Sequence, residues 1–319
     1  MAKKKFIASL SLDLDNLWSY KKIHGGDDWK DFPTYLDRFV PFVLDILDEL
    51  GLKITFFIVG QDAVLSKNEA AIKMISDRGH EIGNHSFNHE SWLHTYSKKE
   101  LEFEIVETEK HLIRITGQKP VGFRGPGFSW SMELFEVLFE NGYKFDASIL
   151  PTWIGPLARK YYFMTADLSP EEKEIRKLLF GQFKDGFRKV KPYYWDLQNG
   201  NKLLEIPVTT FPAFRIPFHL SYLLFISNIS TPLMKLYFNM ALLNCKITNV
   251  QPSFLLHPLD LIGGDMIEEL AFFPGMNITT DKKQQKFKEV IKMFQSKFNI
   301  ISMGKHADIV YPNGKLHLS

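Results

Sequence analysis

Chemistry-bearing residues stand directly behind short apolar runs again and again along this chain, and that placement restricts the fold more than any other feature. Lys5–Leu14 (KFIASLSLDL) reads as a buried strand ending in acidic residues, and Ile54–Val59 (ITFFIV) as a second. His80–Asn84, Val121–Arg124, Tyr143–Ala147, Asn201–Thr210 and Ser253–Leu256 read as further strands, the last ending at His257. Between them Phe39–Leu50, Asn68–Arg78, Lys98–Thr116 and Met132–Asn141 carry apolar residues at helical spacing, and Gly51, Gly79 and Gly117 supply stop signals. Lys282–Phe298 reads as a closing helix. Strand–helix units of this length imply parallel strands joined by right-handed crossovers. Barrels of this class build their sites from the loops that follow the strands, so the pattern predicts a barrel-like α/β fold.

A chain of 319 residues, 45% hydrophobic and 24% charged, is long enough for one large α/β domain. Its formal charge of +2 lacks the concentrated positive charge that phosphate recognition needs, so no nucleic-acid partner is expected. Cys245 is the only cysteine, which excludes an intrachain disulfide. The opening MAKKKFIASLSLDLDN has three lysines, but Asp13 and Asp15 interrupt the apolar stretch before a signal peptide can form; a cytoplasmic protein is expected.

The rhythm breaks at about 156–250, which reads as a mostly helical insertion. Ala158–Lys191 carries nine Lys/Arg against five Asp/Glu, whereas Ile216–Met234 has no charged residue and Leu236–Cys245 is mostly apolar. Pro217, His219, Asn228 and Pro232 argue against a bilayer span there. The stretch 216–245 is expected to be a lid, a helical pair buried on the barrel, or a peripheral contact with the inner face of a membrane.

Asp13-Leu-Asp15 ends the first strand. Period-two neighbours share a face of a strand, and two buried carboxylates on one face are costly unless a cation offsets them. A metal can do this for one and leave the other as a base. His85-Ser-Phe-Asn-His89 follows the third strand, and imidazoles four residues apart reach one cation if the loop turns into a helix. Arg124-Gly-Pro-Gly127-Phe128 sends an arginine into a Gly/Pro turn. Its guanidinium can grip a carboxylate, and the glycines let backbone amides approach an oxyanion. His257-Pro-Leu-Asp260 ends the strand SFLL, and by itself decides little.

Together and in this order these residues resemble the polysaccharide deacetylase family, also called the NodB-homology or carbohydrate esterase family 4 domain. Gly79-His-Glu-Ile-Gly-Asn-His85-Ser-Phe-Asn-His89 is similar to its most specific motif almost residue for residue. Arg124-Gly-Pro-Gly resembles its arginine–proline motif, Phe145-Asp146-Ala-Ser148 its short strand motif, and Leu256-His257-Pro258 its final histidine motif. The resemblance covers residues 5 to 150 and resumes from about 203 to 305. It implies a single catalytic domain over 1–319, a distorted (β/α) barrel of about seven strands, and metal-dependent removal of an N-acyl group from a sugar.

Carried over by position, Asp13 is the implied general base, and Asp15, His85 and His89 hold the metal, usually zinc. Arg124 orients Asp13, and the Gly127 amide, Phe128 and Asp146 face the oxyanion and substrate. His257 protonates the departing amine. Two departures stand out. Leu14 separates aspartates that are adjacent in many members, and the acidic residue that usually tunes the acid histidine has no counterpart. Asp196 lies in the insertion, and Glu205 in a strand. The alternatives are an allantoinase-type amidase on a similar barrel and an inactive carbohydrate-binding relative; the intact set of site residues argues against the latter.

Overall fold

The computed structural model describes residues 6–25, 27–155 and 186–310. Its strands are β1 (Phe6–Asp13), β2 (Thr55–Ile58), β3 (Glu81–Asn84), β4 (Gly122–Phe123), β5 (Phe145–Asp146), β6 (Tyr193–Asp196), β7 (Lys202–Glu205), β8 (Ser253–Leu256) and β9 (Phe298–Ile301). The helices are α1 (Leu17–His24), α2 (Leu36–Glu49), α3 (Gly60–Val64), α4 (Ser66–Asp77), α5 (Lys98–Thr116) and α6 (Met132–Glu140). They continue with α7 (Leu220–Ile229), α8 (Thr231–Ile247), α9 (Thr280–Lys297) and α10 (Met303–Val310).

All nine strands form one sheet in the order β6-β7-β5-β4-β3-β2-β1-β8, with β9 added to the start of β1. Only β6 runs antiparallel, turning back from β7 through Asn199 and Gly200, both at positive φ. The seven strands β1 to β5, β7 and β8 make the parallel series of a curled, distorted barrel, as expected. Closure between its ends is thin: Thr209, beyond β7, donates its N–H to Ser253 O at 3.0 Å, and its hydroxyl accepts the Ser253 N–H at 2.8 Å.

The alternation of β1 explains how the core and the site divide. Leu10, Leu12 and Leu14 enter the main hydrophobic core with Phe39, Val43 and Leu47 of α2. Ser9 and Ser11 take buried polar partners instead: Ser9 Oγ meets His306 Nδ1 at 2.9 Å, and Ser11 Oγ accepts from Arg124 at 2.8 Å. Asp13 ends that polar row.

Of the stretch set apart at 156–250, residues 156–185 lie outside those described, and with them most of the basic segment Ala158–Lys191. Residues 193–205 lie in the sheet rather than in helices, because β7 pairs with β5 in register Asp146↔Glu205. Helices α7 and α8 follow, packed on each other and on α9. Among the described residues no helix is long and apolar enough to cross a membrane.

Candidate active site

Asp15, His85 and His89 converge. Each offers a ligand atom, and these atoms lie within 4.8 Å of one another, all three residues being buried. His89 Nε2 is 2.9 Å and His85 Nε2 3.5 Å from Asp15 Oδ1. His85 Nδ1 is bound to the Arg124 carbonyl oxygen at 2.6 Å, which makes Nδ1 the donor and leaves Nε2 facing Asp15. Burial alone would raise the Asp15 carboxyl, but His89 and His85 hold it well below the usual carboxylate range. Burial likewise opposes charge on His85, yet Asp15, Asp13 and the Arg124 carbonyl pull it upward. The cluster attracts positive charge, and its carboxylate and two imidazoles suit a first-row divalent metal.

The two histidines do not share a helix face. Residues 85–90 form an irregular turn with Ser86 and His89 at positive φ, 59° and 54°. Non-glycine residues hold that conformation only where surroundings impose it. Here the imposing group is Glu104 of α5, buried, whose carboxylate accepts the N–H groups of Phe87 at 2.6 Å and Asn88 at 2.9 Å and the Asn88 side-chain amide at 2.6 Å. Asn84 adds a turn bond, its Oδ1 accepting the Ser86 N–H at 2.9 Å.

Beside the cluster, Asp13 Oδ1 accepts from Arg124 Nη1 at 2.7 Å. Arg124 is fully buried and also donates to Ala147 O at 3.0 Å, so its fork is fixed. On the other side His257 Nε2 stands 4.0 Å from Asp13 Oδ2. Asp13, Asp15, His85, His89 and His257 line one cavity of about 310 Å³, with Gly125, Gly127 and Phe128 on its wall. Tyr20, Trp92 and Phe273 complete an aromatic lining. Gly127 sits at φ 58°, and a Cβ there would come within 2.8 Å of Ser91, so glycine is required.

Asp146 is the exception among the expected residues. It is absent from the cavity wall and fully buried behind it, its carboxylate accepting Ser148 N–H at 2.8 Å and Ser148 O–H at 2.7 Å. The Ser148 hydroxyl in turn accepts the Gly125 N–H at 2.7 Å. Burial and the neighbouring Asp146 push the Glu205 carboxyl far up, while Asp146 is raised by burial against the hydrogen bonds that lower it. Through Ser148, Asp146 supports the Gly125–Gly127 turn from behind the cavity wall.

Residues 27–145 match the family model for polysaccharide deacetylase. Over that segment the chain is similar to the polysaccharide deacetylases. The family match contains His85, His89 and Arg124; the fold brings Asp13, Asp15 and His257 to them from outside it. A peptidoglycan deacetylase of Helicobacter pylori is 26% identical over 171 residues, 51% of this chain and 55% of that protein. A peptidoglycan-N-acetylglucosamine deacetylase of Bacillus cereus is 33% identical over 127 residues, 40% and 54% of the two chains. The chain thus spans about half the length of the curated relatives it matches. A crystal structure from Mycobacterium smegmatis, assigned to the polysaccharide deacetylases, aligns over 100% of this chain and 96% of its own with a TM-score of 0.58 at 17% identity. That likeness shows the shared fold.

Within this polysaccharide deacetylase fold, several residues escape the sequence reading. Asp260 closes a short turn after His257 and approaches its ring to 3.9 Å, and a carboxylate three residues beyond a strand-end histidine was the available signal. Asp62 of α3 is buried, and one of its oxygens accepts from Asn16 at 2.7 Å, Trp18 at 2.9 Å and Asn68 at 3.1 Å, fixing the segment after Asp15. Burial, with Asp15 adding to it, pushes this carboxyl up to about 7. Nothing local in the sequence distinguishes Asp62 or Glu104 from surface acids on helices.

Proposed function

We propose that this chain is a metal-dependent deacetylase that hydrolyses the N-acetyl group of an amino sugar. One observation carries the reading: Asp13 and His257 flank a single cavity next to the convergent Asp15, His85 and His89. Zinc suits this donor set best among common metals. When bound, it supplies a Lewis acid that polarises the acyl oxygen and eases deprotonation of water. Asp13, oriented by the Arg124 guanidinium at 2.7 Å, takes the proton of the attacking water. The Gly127 amide is placed to donate to the oxyanion, and Phe128 walls the substrate. His257 delivers a proton to the nitrogen as the C–N bond breaks.

The relatives' names supply the substrate class, an N-acetylated sugar of the cell envelope. A lipid-linked precursor at the inner face of the membrane is the finer proposal. Helices α7 and α8 expose Phe225, Ile229, Leu236, Leu243 and Ile247, and residues 206–259 contain no Asp or Glu. An apolar helix face without acidic groups suits an anionic lipid surface. Among the described residues no arginine lines the cavity, which gives the small-molecule amidase reading no arginine clamp there.

The test is a screen of N-acylated sugars, free and lipid-linked, with zinc-loaded protein, reading acetate and formate. Acetate release supports the proposal; release of formate alone moves it to a deformylase, and release of neither removes it.

A further inference from the structure

The helix α7 begins at the acid side of the site. Its second residue, Ser221, donates its hydroxyl to Asp260 Oδ1 at 2.6 Å. Its capping residue, His219, is buried with its ring centroid 6.4 Å from that of His257. Asp260 Oδ2 accepts the His257 backbone N–H at 2.9 Å and lies 3.9 Å from His257 Nδ1. The latter distance is too long for a hydrogen bond, but a charge at that range acts strongly where Asp260 is 4% exposed. From α9, Lys283 donates to the carbonyls of Leu259 at 2.6 Å and Ile262 at 2.7 Å, pinning the same turn. Ser221, Asp260 and Lys283 all lie outside the motifs that carry the family resemblance.

We propose that Ser221 and Asp260 are positioning residues for the acid, holding the His257 ring toward Asp13. Helix α7 thereby completes the catalytic machinery in place of the acidic residue missing from its usual motif. The inference rests on the deacetylase reading. In that reaction water adds to the acyl carbon and gives one proton to Asp13. The C–N bond then breaks as the imidazolium of His257 passes its proton to nitrogen, releasing the amine and the carboxylic acid, which loses its proton to solvent; the proton on Asp13 returns to His257. An amine cannot leave without the proton from His257. Burial pushes the Asp260 carboxyl up, and the charge of His257 and the Ser221 hydroxyl work against that rise.

Two substrates separate this role from a structural one. An N-acetylated chitooligosaccharide needs protonation of its leaving group, whereas 4-nitrophenyl acetate releases a stable phenolate without it. With zinc-loaded full-length protein, Asp260→Asn should lower kcat on the amide on the order of 10²-fold and Ser221→Ala about tenfold, KM moving little. Ester hydrolysis should stay within about twofold, which also shows that the variants are folded, and Ser221→Thr should restore the amide rate. Equal losses on both substrates, or no loss on the amide, overturn the positioning role. Wild-type protein that cleaves the ester and not the amide instead overturns the deacetylase reading on which it rests.

Discussion

Glu104 sits 15 residues beyond His89 in sequence, yet its carboxylate braces the turn that carries His85 and His89, the candidate metal ligands. Its carboxylate takes three donors from Phe87 and Asn88, and so holds Ser86 and His89 in backbone conformations they would not adopt alone. Glu104→Gln turns one oxygen into a donor that must face another donor. Zinc affinity should fall about 10- to 100-fold while the fold is kept, and competition titration with a chromogenic chelator measures it. An unchanged affinity would show that the turn holds itself. At this scale the sequence reveals residue types and strand-end positions well, because Asp13, Asp15, His85, Arg124 and His257 each follow a recognisable strand. It does not reveal which groups face each other across the barrel. Asp146 looked like a substrate contact because its strand motif is local, while its neighbour Glu205 comes from a strand paired only in the fold. The helical expectation for His85 and His89 failed for the same reason, since the group that bends the turn is on α5.

Most core-covering helices were legible from apolar spacing, as α5 and its Gly117 stop show, with φ 69° at the glycine, whereas α10 with its buried Met303, Ala307 and Val310 was not. Strands β4 and β5 shrink to two residues each, pairing only through Gly122↔Phe145 and Phe123↔Asp146. Helices α1 and α3 were missed, being short and set by tertiary bonds to Asn16 and Asp62 rather than by periodicity. Helices α7 and α8 give the element-scale prediction. Ile247 is 73% and Phe225 69% exposed, with Lys235 on the same helix pair and the lysines of α9 beside it. Wild-type protein should co-sediment with vesicles containing phosphatidylglycerol, and Leu236→Glu with Leu243→Glu should lose most of that binding without changing turnover of a soluble substrate. Equal vesicle binding by the double variant would place the contact elsewhere.

The molecule as a whole buries several histidines in neutral form. Burial pushes His80 and His306 down to about 4 and His219 to about 3. Below the ordinary histidine value near 6.5 the unfolded chain binds protons that the fold refuses, so stability falls with pH from about 6.5 toward 4. Each group contributes a slope of about 1.4 kcal/mol per pH unit across that window. Urea titrations at stepped pH should show this acid loss, and His306→Gln should flatten it; a flat profile in the wild type would mean that these rings are protonated in the fold. On the proposed reading, activity depends on Asp15, His85 and His89, from two separate loops, holding one ion. The most direct test is zinc stoichiometry measured beside acetate release for three proteins. Wild type should bind one zinc and release acetate, Asp13→Asn should bind one zinc and release none, and His85→Ala should bind little zinc. Full zinc occupancy in His85→Ala, or loss of zinc in Asp13→Asn, would contradict the assignment of ligand and base.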